Sequence, residues 1–462
     1  MSAAQWRADS VHIAGLAVPL ILTQFAQVAL STTDIMMMGL LGPLDIAAGG
    51  LALAVFNLFR TAGVGLVTPT GNLVAAASGA ARAGSDIRDL VSASFAVATA
   101  AGLLFWAAML GAGKLLLWLG QDAVVVSKAA VYLSAAAPGI VPLLWFQVLR
   151  NVTVGLRRPG PLLAITLGSI GVNAALDYAL MFGAFGLPAL GLAGIACSTT
   201  LVNLFSFIVF LAIARRDPAL APLLSIRAWP AGAQALRRMW KMGLPVAATY
   251  GSEAGFFAVI SLLVGTLGAE ALAAHTVVNQ AVYIVFMISV GLSHAASISI
   301  SKVWSQGDVR SARRYGYTSL SLGMACMAVI AIVYAAMPQP LLRLFLHQPA
   351  PGSDAVLVMA SHLLVIAAVL QFFDCGQNIG IGILRGVGET GSAFIMTLIG
   401  YWGVGLPVAW LLGRWLRFGA AGVWIGLAAG LMVTSIQLLL RFRRRTDEFI
   451  ARENTDRLVP AK

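Results

Sequence analysis

The sequence predicts an all-α polytopic membrane protein: twelve transmembrane helices in two six-helix bundles, related by a pseudo-two-fold axis along the membrane normal. Three observations predict it. The 462 residues are 59% hydrophobic and only 10% charged, with a mean hydropathy of +0.88. A soluble domain carries about 25% charged residues, so this chain cannot hide its apolar surface by folding alone. Twelve apolar runs reach the ~20 residues needed to cross the hydrocarbon. Finally, a shift of 226 residues lays the second half on the first: Pro19 meets Pro245, Thr23 meets Thr249, Gly39 meets Gly265, and LGPLDIAA (41–48) meets LGAEALAA (267–274). With six spans in each copy, both copies enter the membrane in the same direction.

The spans follow in order. Span 1 (12–40) contains Pro19, where a helix can bend. Its Gln24, Gln27, Ser31 and Asp34 are spaced 3-4-3, one helical stripe. Span 2 (46–73) carries Arg60, and spans 3 (89–112) and 4 (126–149) are apolar runs. Span 5 (160–182) contains GVNAALDY, whose Asn173 and Asp177 are four apart and share a face. Span 6 (190–214) carries Thr199. The longest polar connection follows, basic and proline-bearing. It sets an expected N-lobe (1–214), a cytoplasmic linker (215–241), a C-lobe (242–445) and a cytoplasmic tail (446–462). Span 7 (238–266) contains Pro245 and Tyr250, and places Glu253 opposite Gln27 in the repeat register. Span 8 (272–301) has His275, Asn279, Ser289 and Ser293 on roughly one face. Span 9 (315–337) is apolar. Span 10 (356–384) carries Gln371, Asp374 and Asn378 as one stripe. Spans 11 (391–413) and 12 (420–440) complete the set.

Charge sets the direction. With the N-terminus inside, 24 of the 30 Lys and Arg fall on the inner side and five on the outer, and Arg60 lies within a span. This bias places both termini in the cytoplasm. It also assigns the net charge of +12 to topology rather than to nucleic acid. MSAAQWRADSVH runs straight into span 1, so no cleavable leader is expected. Cys197, Cys326 and Cys375 lie in apolar runs without metal-ligand spacing.

Asp34, Asp177, Glu253 and Asp374 lie well inside spans. A charge near the bilayer centre costs roughly 2.5–3.5 kcal/mol on insertion scales, so such residues face a partner or an aqueous path. At about 1.5 Å per residue, Asp34 and Asp177 are each roughly 9 Å from the outer ends of their spans, and Asn173 and Thr199 roughly 14–15 Å. These four oxygen-bearing side chains share one layer of the outer half of the membrane. Hard oxygen donors suit Na⁺, and equally a proton shared between carboxylates. Glu253 lies nearer the midplane. Arg60 reads either as a hydrogen-bond hub or as a cavity residue. The signatures HExxH, GxGD and GxSG are absent, which argues against an intramembrane protease. No Lys lies mid-span, which argues against a proton-translocating subunit of a redox complex.

The twelve spans, the parallel repeat and these acids resemble the multidrug and toxic compound extrusion (MATE) family, over nearly the whole chain. The stretches that carry the resemblance are PLILTQFAQVALSTTDIMMMG (19–39), LRNVTVGLRRPGPLLAI (149–165), GVNAALDY, LPVAATYGSEAGFF (244–257), AAHTVVNQAVYIVFMISVGLSHAASISISK (273–302), LQFFDCGQNIGIGILRGVGETG (370–391) and YWGVGLPVAWLLG (401–413). The later ones are similar to the NorM-like branch. Leu370 stands where that branch often has tyrosine, and Asp177 is an acid where some members have an amide.

The resemblance implies a secondary antiporter, not an enzyme. It would export amphipathic cationic compounds against inward Na⁺ or H⁺ by rocking of two lobes. It implies an N-lobe cation site at Asp34, Asn173, Asp177 and Thr199, able to take Na⁺, and a C-lobe site at Glu253 and Asp374. Gln24, Gln27, Arg60, Tyr250, His275, Asn279, Gln371 and Asn378 would line the substrate cavity. The expected setting is the bacterial cytoplasmic (inner) membrane, as a monomer, with small cationic drugs or toxins as ligands, no nucleic acid, and no cofactor besides the coupling ion. The nearest alternative is a flippase of lipid-linked precursors or polysaccharide from the same superfamily. A cationic cavity would favour that, whereas here the acids inside the spans outnumber Arg60.

Overall fold

A computed structural model describes residues 3–80, 84–118, 120–158, 160, 162–224, 232–343 and 353–458. Among them twelve helices are long and apolar enough to cross a membrane, and no strand is found. The first half runs α1 (Ala3–Gly39), α2 (Pro43–Val67), α3 (Pro69–Gly79), α4 (Gly84–Trp118), α5 (Ala123–Ala136), α6 (Ile140–Gly155), α7 (Leu162–Phe182) and α8 (Leu192–Ala214). The second runs α9 (Ala233–Gly265), α10 (Ala269–Ser305), α11 (Val309–Ala336), α12 (Pro338–Arg343), α13 (Ser353–Gly386), α14 (Thr390–Leu398), α15 (Leu406–Trp410) and α16 (Gly419–Leu458).

Prolines break two spans that the sequence reads as single helices. Pro69 has no N–H to extend the ladder, so α2 stops and α3 begins on it. The freed geometry is tied by Thr68, whose Oγ1 donates to the Val64 carbonyl at 2.7 Å. Pro138 does the same between α5 and α6, through a 3₁₀ turn at Ala137–Gly139. In the second half these positions are Ala295 and Val365, and α10 and α13 run unbroken.

The repeat is physical. Gly42 and Gly268, 226 residues apart, begin α2 and α10 with φ/ψ of 116°/171° and 120°/165°, a left-handed backbone open to glycine. Asn151 Nδ2 donates to the Val67 carbonyl at 3.0 Å. At the matching place Ser293 donates to the Asn378 carbonyl at 2.7 Å. Asn378 is 227 residues after Asn151, and Ser293 is 226 after Val67.

The chain forms two compact units. The N-terminal unit is Leu22–Tyr250; the C-terminal unit is Met1–Ile21 with Gly251–Lys462. The division therefore falls inside α1 and α9, not at the expected linker 215–241. Each of these helices begins in one unit and ends in the other, a few residues after Pro19 or Pro245. In the N-terminal unit α7 packs on α8, α4 and α3 on α6, and α2 on α5. In the C-terminal unit α13 is central, against α10, α11 and α16.

Three expectations need correction or fall outside view. Arg150, counted with the inner loops, lies within α6 and is buried. The stretch expected as a tail from residue 446 continues α16 to Leu458. Residues 225–231 of the linker, 459–462 of the tail, and Arg82, Arg227 and Lys462 of the charge count lie outside the described residues.

Candidate functional site

Each unit buries its own polar cluster. In the N-terminal unit, α1 supplies Asp34, α7 supplies Asn173 and Asp177, and α8 supplies Ser198 and Thr199. Asn173 Nδ2 donates to Asp34 Oδ1 at 2.6 Å and to Asp177 Oδ2 at 2.7 Å. The four-residue spacing on α7 makes the second bond; the others cross between helices, from α7 to α1, from α8 to α1 and from α8 to α7. Thr199 Oγ1 donates to Asp34 Oδ2 at 3.2 Å and also reaches its own helix at the Ile195 carbonyl, at 3.1 Å. Ser198 Oγ donates to the Asn173 carbonyl at 3.3 Å. The two carboxyls are within hydrogen-bonding reach of each other. Asn173 and Asp177 are fully buried and Asp34 is 4% exposed.

Two facing carboxylates in apolar surroundings are stable only with a proton or a cation between them. Asn173 Oδ1 and Asp177 Oδ1 are buried with no protein partner of hydrogen-bonding geometry, so lone pairs remain to ligate one. No group of three His, Cys, Asp or Glu gathers among the described residues. The donor set here is carboxylate, amide and hydroxyl oxygen, which suits a hard ion and not a soft transition metal.

The C-terminal cluster is built differently. Glu253 on α9 faces Gln377 of α13 and Tyr401, and Asp374, buried on α13, interacts electrostatically with Glu253. Yet Glu253 Oε1, Asp374 Oδ1, both polar atoms of Gln377 and of Gln371, and the Tyr401 hydroxyl close no bond of good geometry. Tyr401 sits in a π-helical stretch, Ile399–Gly405, between α14 and α15. Such bulges recur at functional sites. The Tyr401 ring stacks on Phe256 at 4.8 Å and 6°, and Trp402 Nε1 donates to Ser252 Oγ at 2.9 Å, so the ring is held while its hydroxyl is not.

The remaining candidates divide. Gln24, half-buried, accepts from Arg150 Nη2 at 3.2 Å. Gln27 and Asn279 are half-buried. Tyr250 is half-buried and interacts electrostatically with Arg150. Arg60 Nε donates to Asn57 Oδ1 at 3.0 Å on its own helix. Gln371 is buried against Tyr334. Asn378 gives its carbonyl, not its side chain, to Ser293.

His275 is a core residue. Trp424 Nε1 donates to its Nδ1 at 3.1 Å, so Nδ1 is bare and Nε2 carries the proton. Nε2–H then donates to Ser261 Oγ at 3.0 Å, and Ser261 donates to the Phe257 carbonyl at 2.9 Å. This chain is complete at 2% exposure, which leaves His275 no part in a cavity.

Sequence reasoning missed Gln377, Tyr401, Arg150, Gln147 and Tyr132, the last buried and coupled electrostatically to Asp34 and Asp177. Gln377 could have been found, because it lies three residues after Asp374 on the same stripe as Asn378.

A two-unit, twelve-span protein with buried acid clusters in each unit belongs to the class of polytopic membrane transporters. The chain is a member of the MatE family, whose description matches residues 19–179 and 245–411. Both matches begin at the prolines that the repeat pairs. It is 40% identical over 436 residues to a probable multidrug resistance protein NorM of Pseudomonas aeruginosa, covering 93% of this chain and 88% of that one. It is 37% identical to the probable NorM of Bradyrhizobium diazoefficiens, covering 94% and 93%. Its fold matches the outward-facing conformation of a multidrug resistance MATE family transporter, with a TM-score of 0.87 at 19% identity over 96% of this chain and 97% of that one. It also matches a eukaryotic MATE transporter, with a TM-score of 0.82 at 20% identity over 97% and 99%.

Proposed function

We propose that the chain is a secondary multidrug antiporter. It exports amphipathic cationic compounds in exchange for inward Na⁺ or H⁺, from the bacterial cytoplasmic membrane, with both termini in the cytoplasm and no partner protein or cofactor. The observation that carries this reading is the Asp34–Asn173–Asp177–Thr199 cluster. Its short bonds and free lone pairs form a preorganised cage of oxygens, the property of an ion site. The C-terminal acids, by contrast, close no tight bonds, which suits ligands of varied shape. We therefore assign the driving ion to Asp34 and Asp177, and attraction of the substrate cation to Glu253 and Asp374. Opposite charges in a low-dielectric site attract strongly, and an ion entering its own site weakens the substrate's hold by linkage. The names of the relatives, as multidrug resistance proteins, support the substrate class.

The test is transport by the purified chain in liposomes, with Na⁺ and pH gradients imposed separately and a fluorescent lipophilic cation followed. Efflux should require at least one gradient, and Asp34→Asn should abolish it while inserting normally. Undiminished transport by Asp34→Asn would remove the role given to that residue.

A further inference from the structure

We propose that Arg150, Gln147 and Gln24 form an anion-accepting subsite in the N-terminal unit, whose ligand is the carboxylate of an amphoteric solute, one bearing both an amine and an acid. The setting rests on the export reading above, but the chemistry rests on separate residues. Arg150 is 5% exposed and lies inside α6, before its end at Gly155. A guanidinium has five N–H donors. The described residues take two: Nη1 donates to Gln147 Oε1 and Nη2 to Gln24 Oε1, each at 3.2 Å. Among the described residues its electrostatic neighbour is Tyr250, and no carboxylate among them pairs with it. The two buried acids of the same unit, Asp34 and Asp177, are engaged by Asn173 and Thr199. Amide oxygens carry only partial charge, and a cation held out of water without a counter-charge is costly. The unused donors offer the planar fork that matches a carboxylate.

The repeat gives the contrast. At a shift of 227, Gln377 stands for Arg150 and Asp374 for Gln147; at 226, Glu253 stands for Gln27. At these matched positions the C-terminal half presents two carboxylates with an amide, and the N-terminal half a guanidinium with amides. The first draws a cation, and the second repels it and draws an acid. Gln24, Gln27 and Tyr250 are half-buried, which leaves the edge of the cluster open to a ligand.

The test is binding, read by fluorescence anisotropy with the full chain in phosphatidylcholine nanodiscs. The probes are a zwitterionic xanthene dye with a free benzoate and its methyl ester, which differ only at the acid. Arg150→Gln, which installs the residue of the opposite repeat, should lower the acid-to-ester affinity ratio by about tenfold or more. Arg150→Lys, which keeps the charge without the fork, should lower it less. A ratio unchanged in both variants overturns the subsite, as does a wild type that binds the ester and not the acid. If Arg150→Gln binds neither dye, the ratio in Arg150→Lys decides. If phosphatidylglycerol in the disc displaces the acid dye from wild type and the ratio still ignores Arg150, the charge serves a lipid headgroup and the proposal falls. The export reading is scored apart, by gradient-driven efflux of the ester in liposomes. Either result can fail without the other.

Discussion

The single amide nitrogen of Asn173 holds two carboxylates, at 2.6 and 2.7 Å. Its two protons are spent there, and its oxygen keeps no hydrogen-bond partner among the described residues. Asn173→Ala should therefore do more than delete a ligand: it leaves Asp34 and Asp177 facing each other with no shared donor. The ion concentration for half-maximal efflux should rise by about tenfold, from loss of a charge-assisted bond; a wild-type ion dependence would show that the amide is no part of the site. Ser261→Ala tests the His275 chain in a different way. It orphans Nε2–H in the core at a cost of roughly 1–3 kcal/mol, so the unfolding midpoint in detergent should drop while dye affinity holds. A loss of affinity at an unchanged midpoint would return His275 to the substrate cavity. At this scale the acids were legible because a charge in hydrocarbon needs a reason. Arg150 was not, because near the end of a span a loop cation and a buried one have the same sequence. Asn378 was read with Asp374 and Gln377 was not, although the two lie four and three residues after it, and only the packing of α10 on α13 turns Asn378's backbone toward Ser293.

At the scale of elements, the irregular backbone lies where it serves a cluster. The π stretch Ile399–Gly405 carries Tyr401 to Glu253. It is fixed by close backbone approach: a Cβ on Gly430 of α16 would stand 2.8 Å from the Gly400 carbonyl oxygen and from the Gly405 Cα. Gly430→Ala should push the stretch away at an overpacking cost of about 1–3 kcal/mol. Affinity for a cationic dye should fall along with thermal stability, and retained affinity in a destabilised protein would detach Tyr401 from binding. No residue pattern foretold this stretch, because a π turn widens a ladder that the sequence reads as α. The breaks at Pro69 and Pro138 had a signal, the prolines themselves. Hydropathy hid it by running on across both, so the spans read as single helices. The turns at Gly42 and Gly268 were legible as a repeated motif, and their nearly equal dihedrals show that the likeness is one of backbone as well as of letters.

At the scale of the whole molecule, the proposed exchange would require that occupancy of one cluster be felt at the other. The N-terminal cluster and the C-terminal cluster lie in separate compact units. Two helices, α1 and α9, pass from one unit to the other. The path α1 takes is short: Pro19 and the unit boundary after Ile21 precede Asp34 on the same helix. The path α9 takes is its counterpart, from Pro245 through the boundary after Tyr250 to Glu253. Each proline removes one i→i−4 hydrogen bond just ahead of the crossing, so each helix is weakest where it changes units and an acid follows downstream. If the units rock during exchange, these are the places where φ and ψ must adjust, and hinge positions act on rate. Pro19→Ala with Pro245→Ala restores both ladders without touching an ion or substrate ligand. The pair should slow gradient-driven dye efflux by about tenfold, while dye affinity at equilibrium and the ion concentration for half-maximal efflux stay near wild type. A fall in affinity with rate retained would place the prolines in the binding sites. A wild-type rate would mean that the crossing helices carry the motion without bending at their prolines.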